Sequence, residues 1–181
     1  MFRYYQTGER SPWKVISDEG DTLKKVLSQG GRKMTILAVS QEITQETKPE
    51  DVKYKGPFYA DIDVKGDLAQ AAVSAKDLVS KLKEREVPEE VIQVYASGSK
   101  GFHIIVSEKV FSSGRPLKTL PLVYKEMALS MYVRGLDLQV YCGGKGNSWR
   151  IENLQREDGN YRVRITLDEL DEITKDAEVY K

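Results

Sequence analysis

From Leu68 to Leu82, apolar residues fall at Leu68, Ala71, Ala72, Ala75, Leu78, Val79 and Leu82, a spacing that lines one face of a helix. Asp67 stands at the N-cap position and Pro88 lies past the end, so GDLAQAAVSAKDLVSKLKERE reads as the clearest helix of the chain. DTLKKVLSQGG predicts a shorter one, with Asp21 as cap, Leu23, Val26 and Leu27 as its apolar residues and Gly30 as its stop. PLKTLPLVYKEMALSMYVRG predicts another, with Pro121 in the first turn, where proline is tolerated. Shorter runs rich in β-branched and aromatic residues predict strands at KVIS (14–17), MTILAVS (34–40, a central strand), FYADIDV (58–64) and LDLQVY (136–141). VIQVYASGSKGFHIIVSEKVF reads as two strands joined by a tight glycine-containing turn. WRIENLQ and YRVRITL read as a hairpin with Asp158 and Gly159 at its tip. The polar stretch from Gln41 to Lys55 reads as a loop, and DELDEITKDAEVYK as a helix or a disordered tail. The pattern is that of an α/β (α+β) fold with a mixed sheet.

Composition narrows this only a little. The chain has 181 residues, 40% hydrophobic and 31% charged, which suits one domain with a proper core. A single cysteine, Cys142, excludes an internal disulfide, and with a single histidine, His103, it excludes the usual Cys/His zinc centres. No run approaches a membrane span, and MFRYYQTGER lacks the apolar core of a signal peptide, so a cytoplasmic protein with no membrane partner is expected. Acids and bases balance at 28 each, yet between Ala96 and Arg164 eleven basic residues stand against six acidic ones. A local basic face is allowed.

Two carboxylates interrupt a strand that otherwise looks like core. In FYADIDV, Asp61 and Asp63 are two residues apart and share one face, while Ala60, Ile62 and Val64 take the other. Side by side they repel, and each raises the other's pKa unless a cation lies between them. A solvated strand face accommodates such a pair, and so does a hard divalent ion with oxygen ligands. A D-x-D at a strand end also holds metal diphosphates in sugar-nucleotide transferases. Asp137, in RGLDLQVY, is a third acid among apolar residues on a predicted strand.

SGSKGFHIIV (97–106) is more specific. Glycines flank Ser99 and Lys100, so backbone amides, a hydroxyl and an ammonium can face one anion, with His103 on the departing strand. That set suits a triphosphate, with Lys100 as point charge and His103 as donor. It also describes a plain hairpin turn with polar tips.

In order, D-x-D on a strand, S-G-S-K-G-F-H after a long helix, L-D-L-Q-V-Y and W-R-I-E-N…Y-R-V-R-I-T-L resemble the archaeo-eukaryotic primase superfamily, specifically its primase-polymerase (prim-pol) catalytic domains. The resemblance covers roughly 58–170. It implies a single catalytic domain over 1–181, with an N-terminal α/β segment (1–55), a motif-bearing core with an RRM-like sheet (56–170) and an acidic tail (171–181). It implies Asp61, Asp63 and Asp137 as catalytic residues and ligands of two Mg²⁺ or Mn²⁺ ions. Ser97, Ser99, Lys100, His103 and Arg150, with Asn153 ranked lower, are the implied nucleotide contacts. Arg156, Arg162 and Arg164 are candidates for following a nucleic-acid backbone, or for a solvated strand face. The implied activity is template-dependent addition of NTPs or dNTPs on a single-stranded or primed template, with further domains or a helicase as additional partners. The chain departs from the family in its Cys and His counts, which exclude a zinc module or iron–sulfur domain.

Two alternatives compete. A nucleotide-sugar glycosyltransferase explains D-x-D but neither S-G-S-K-G-F-H nor Asp137. A catalytically inert nucleic-acid-binding module would stack bases on exposed aromatics, for which Tyr141, Trp149 and Tyr161 are the candidates.

Overall fold

The computed structural model describes every residue except Ser99, Ser112, Ser113, Glu157, Tyr180 and Lys181, and only the backbone of 176–179. In chain order the elements are β1 (Phe2–Gln6), β2 (Lys14–Ser17), α1 (Thr22–Ser28), β3 (Lys33–Thr35), β4 (Ala38–Val39), β5 (Tyr54–Lys55) and β6 (Phe58–Asp63). Then follow α2 (Leu68–Glu84), β7 (Ile92–Ala96), β8 (Gly101–Val106), α3 (Glu108–Phe111), α4 (Leu120–Ser130), β9 (Ser148–Arg150), β10 (Val163–Ile165) and α5 (Leu167–Val179).

The strands form two sheets, and every ladder among the described residues is antiparallel, which corrects the expected mixed sheet. The pattern of short strands and helices does not reveal this, because direction is set by which strands become neighbours. In the first sheet β1 lies between β2 and a broken strand. Phe2 meets Ser17 on one side and Val39 on the other, and Tyr5 meets Lys14 and Met34. MTILAVS is thus central but interrupted at Ile36 and Leu37. Asn147 causes the break: its carbonyl accepts from Ile36 N and its side-chain oxygen from Leu37 N. The outer edges of β3 and β4 then take β9 and β5.

The second sheet runs β10-β7-β8-β6. Since β8 lies between β6 and β7 and is antiparallel to both, β6, α2 and β7 make a split β-α-β unit. Registered pairs Ile62–Phe102 and Ala60–Ile104 place the buried residues of both strands on one face. Against that face α2 packs Ala71, Ala72, Ala75, Leu78, Val79 and Leu82. The alanines let the helix approach closely, and each buried leucine contributes about 1.5–3 kcal/mol. Asp67 caps the helix as its sequence position indicates, accepting from Gln70 N, and Asp21 does the same for α1 through Lys24 N. On α1, however, only Val26 of the three apolar residues is buried; Leu23 and Leu27 are exposed.

Two further expectations change. LDLQVY is not a strand: Leu136 makes one isolated bridge to Ile62, and Leu138–Val140 form a 3₁₀ turn begun by Asp137, whose side chain accepts from Gln139 N. WRIENLQ and YRVRITL turn back at Asp158–Gly159 and touch at the Gln155–Tyr161 bridge, but β9 joins the first sheet and β10 the second. Each strand makes three registered pairs in its own sheet, against the single bridge between the two segments. The acidic end takes the helical of its two expected forms: α5 starts at Leu167, packs on α2 and buries Leu170. No helix among the described residues is long and apolar enough to cross a membrane.

Candidate active site between the two sheets

The face of β6 away from α2 carries Tyr59, Asp61 and Asp63, and the matching face of β8 carries His103. Register sets the first contact. Asp61 lies opposite His103, and His103 lies opposite Tyr95 on its other side. His103 Nε2 is 3.6 Å from Asp61 Oδ1, beyond hydrogen-bond range. Gly101 opposes Asp63, and a Cβ there would stand 1.8 Å from Ile62 O, so only glycine allows the turn to enter the sheet this closely. The turn is tied by Ser97, whose amide donates to Gly101 O and whose hydroxyl accepts from Gly101 N and Lys100 N. Gly98 within it has φ +80, and a Cβ there would stand 2.2 Å from Tyr161 O. Ser99 lies outside the described residues.

The free edge of β6 receives residues 135–137. Asp63 N donates to Gly135 O at 2.9 Å and Asp137 N to Asp61 O at 2.8 Å. Asp137 is therefore fixed beside Asp61 by backbone although it lies in no strand. Burial, then the charges of Asp137 and Asp63, push Asp61 up from 3.8 to about 7, with Arg162 opposing. Burial, reinforced by Arg162 and Arg150, holds His103 down at about 3. The imidazole is neutral at physiological pH, so its approach to Asp61 is not an ion pair. Among the described residues no group of three or more His, Cys, Asp or Glu side chains forms a ready metal cluster.

Between the sheets opens a cleft of about 810 Å³, lined by Asp61, Asp63, Ser97, Lys100, His103, Arg150, Arg156 and Arg162. All eight are candidates in the sequence, and they come from four separate segments. Asp137, Asn153 and Arg164 are not among its lining residues. Asn153 is a turn residue with φ +61 whose amide donates to Arg162 O, and Arg164 is exposed beside Glu89 and Glu90 at another surface. Arg162, by contrast, is only 7% exposed.

The first sheet supplies residues that no motif announced. Pairing of β3 with β9 sets Lys33 opposite Arg150, and Arg32, Lys33 and Glu9 all line the cleft. Burial and the neighbouring Arg150 lower the Lys33 pKa. Glu9 reaches Arg150 Nη2 at 2.8 Å, and that contact lowers its own pKa. Six cationic side chains, at 32, 33, 100, 150, 156 and 162, thus share the cleft with three carboxylates. Of the aromatics considered for base stacking, Tyr141 and Trp149 are buried, while Tyr161 is 43% exposed. Trp149 stacks on His103 with ring centroids 4.1 Å apart. The sequence matches no protein-family model and none of the curated proteins.

Proposed function

We propose that this chain is the catalytic core of a metal-dependent, template-directed nucleotidyltransferase of the primase-polymerase kind, taking nucleoside triphosphates and a single-stranded or primed nucleic acid. The observation that carries the reading is the shared cleft. Two carboxylates of β6, a neutral histidine registered opposite one of them and a surplus of cations from both sheets face one space. The four-stranded antiparallel sheet with its split β-α-β unit is compatible with an RRM-like core.

The donor chemistry fits the divalent ions this reading requires. Asp61 is a hard oxygen ligand whose charge is opposed by burial and by two like neighbours, and a cation is what relieves both. Asp61 and Asp63 would hold Mg²⁺ or Mn²⁺. Asp137, fixed beside Asp61 by its amide and capping the turn at Gln139 N, is the third carboxylate and would have to turn toward the ion. When bound, the ion would lower the pKa of an attacking hydroxyl and offset charge on the triphosphate. The other parts follow from the chain itself. Lys100 and Arg150 balance the remaining phosphate charge, and His103 donates a hydrogen bond without adding charge. Arg156 and Lys33 extend the positive lining along the cleft for a nucleic-acid backbone.

The test is extension of a labelled primer on a template with Mg²⁺ or Mn²⁺, beside a lane without primer. Metal-dependent products lost in Asp61→Ala/Asp63→Ala support the reading, and products in the primer-free lane add de novo initiation. Folded protein that binds single strands but makes no product would point to a non-catalytic module instead. Sugar-nucleotide hydrolysis without extension would point to a transferase of the other kind.

A further inference from the structure

From its sequence Arg162 is a candidate for following a nucleic-acid backbone, yet its side chain is buried at the cleft wall. Its Nε is 3.0 Å from His103 Nδ1, its Nη1 is 3.3 Å from Arg150 O, and its Cζ sits 3.8 Å above the centre of the Tyr95 ring. Guanidinium groups only donate, so the nitrogen that accepts from Arg162 must carry a lone pair. His103 Nδ1 is therefore unprotonated, and the single proton of the neutral ring sits on Nε2. That nitrogen faces the carboxylates, 3.6 Å from Asp61 Oδ1. Flipping the ring would put a carbon in front of the Arg162 N–H and leave that donor unmatched. Trp149, stacked at 4.1 Å and 17°, confines the imidazole to its plane.

We propose that Arg162 is a positioning residue. It fixes His103 as the tautomer whose Nε2–H points into the cleft, and through Arg150 O it ties β9 to the same assembly. This deepens the proposed function and rests on it for its catalytic meaning: His103 then offers a donor, never an acceptor, to a phosphate oxygen bound beside Asp61. The arrangement also explains a buried cation that has no carboxylate in hydrogen-bond contact among the described residues. Arg162 Nη2 is buried without a hydrogen-bond partner among the described residues; the cation lies over the Tyr95 ring, donates to the imidazole, and is further stabilised by the nearby charges of Glu152 and Asp61.

His103 is the only histidine in the chain, so ¹⁵N-histidine labelling gives one imidazole to read. In the full chain, without metal or nucleotide, the spectrum should show a pyrrole-type Nε2 and a pyridine-type Nδ1 at neutral pH. A proton on Nδ1, or an imidazolium, overturns the proposal with no variant needed. In Arg162→Met that preference should collapse toward a mixture of tautomers, and an unchanged spectrum from the folded variant also overturns it. Where Arg162→Met does not fold, the wild-type spectrum decides alone. In the extension assay, Arg162→Met should lower kcat/KM for the nucleotide about tenfold when His103 is present, the loss expected for one charge-assisted hydrogen bond. It should change kcat/KM less than about twofold in a His103→Gln background, because residues acting as one unit are not additive. Equal losses in both backgrounds would make Arg162 independent of His103. The spectrum needs no activity, so an inactive wild type would remove the proposed function while leaving the tautomer test standing.

Discussion

Replacing Asp61 by Asn removes the carboxylate that this fold opposes most strongly, and the gain can be worked out. In the folded chain Asp61 keeps its proton up to about pH 7, whereas its ordinary value is 3.8. Between those values the folded state binds more protons than the unfolded one, so stability falls as pH rises through that window and levels off above it. At 1.36 kcal/mol per pH unit, the burden reaches roughly 4 kcal/mol at pH 8 and roughly 2 kcal/mol at pH 5. A quarter of the side chain is exposed, and solvent screening makes both figures upper bounds. Asn is neutral in both states and carries none of this. Asp61→Asn should therefore be more stable than wild type by up to about 4 kcal/mol at pH 8, and by about half of that at pH 5. The assay is urea denaturation in EDTA at the two pH values. Adding Mg²⁺ or Mn²⁺ at pH 8 should raise wild-type stability, by about 2.7 kcal/mol at a hundred times Kd, and raise that of Asp61→Asn far less. A variant no more stable than wild type at pH 8, or a difference equal at both pH values, would refute the reasoning.

Three other perturbations read other parts of the structure. Gly101→Ala forces a Cβ to within 1.8 Å of Ile62 O and should destabilise the chain by about 3 kcal/mol or more in urea denaturation; a loss under about 1 kcal/mol would contradict the close β6–β8 approach. Asn147→Ala leaves Leu37 N and the carbonyls of Cys142 and Gly144 without their side-chain partner, for a loss of about 3 kcal/mol in the same assay. Glu9→Gln releases Arg150 and should tighten nucleoside triphosphate binding roughly two- to fivefold in low-salt titrations, with the gain fading at high salt.

Much of this was legible in the sequence, for identifiable reasons. The helix from Leu68 carries a continuous apolar stripe, a cap and a stop, so local signals agree with its packing. In FYADIDV the alternation from Ala60 to Val64 already places Asp61 and Asp63 together, away from the core-facing side of the strand. What stayed hidden depends on contacts between distant segments. Asn147 splits MTILAVS by binding amides 110 or so residues away. Lys33, Arg32 and Glu9 enter the cleft only because β3 pairs with β9. LDLQVY has strand composition, but Asp137 caps a turn there, and the segment needs only its first residues to complete the β6 edge. Arg162 and Arg164 look alike in YRVRITL, yet Arg162 precedes the strand and is drawn under His103 and Tyr95 while Arg164 stays in solvent. Local pattern cannot separate them.

The central claim is that Asp61 and Asp63 serve templated nucleotidyl transfer in the cleft between the sheets. Its most direct test offers each nucleoside triphosphate singly, with Mn²⁺, to a primed template presenting each of the four bases in turn, using wild type and Asp61→Asn. Wild type should add only the nucleotide complementary to the template base, and Asp61→Asn, folded and more stable, should add none. Incorporation by Asp61→Asn at the wild-type rate, or no incorporation by wild type under any pairing, would contradict it.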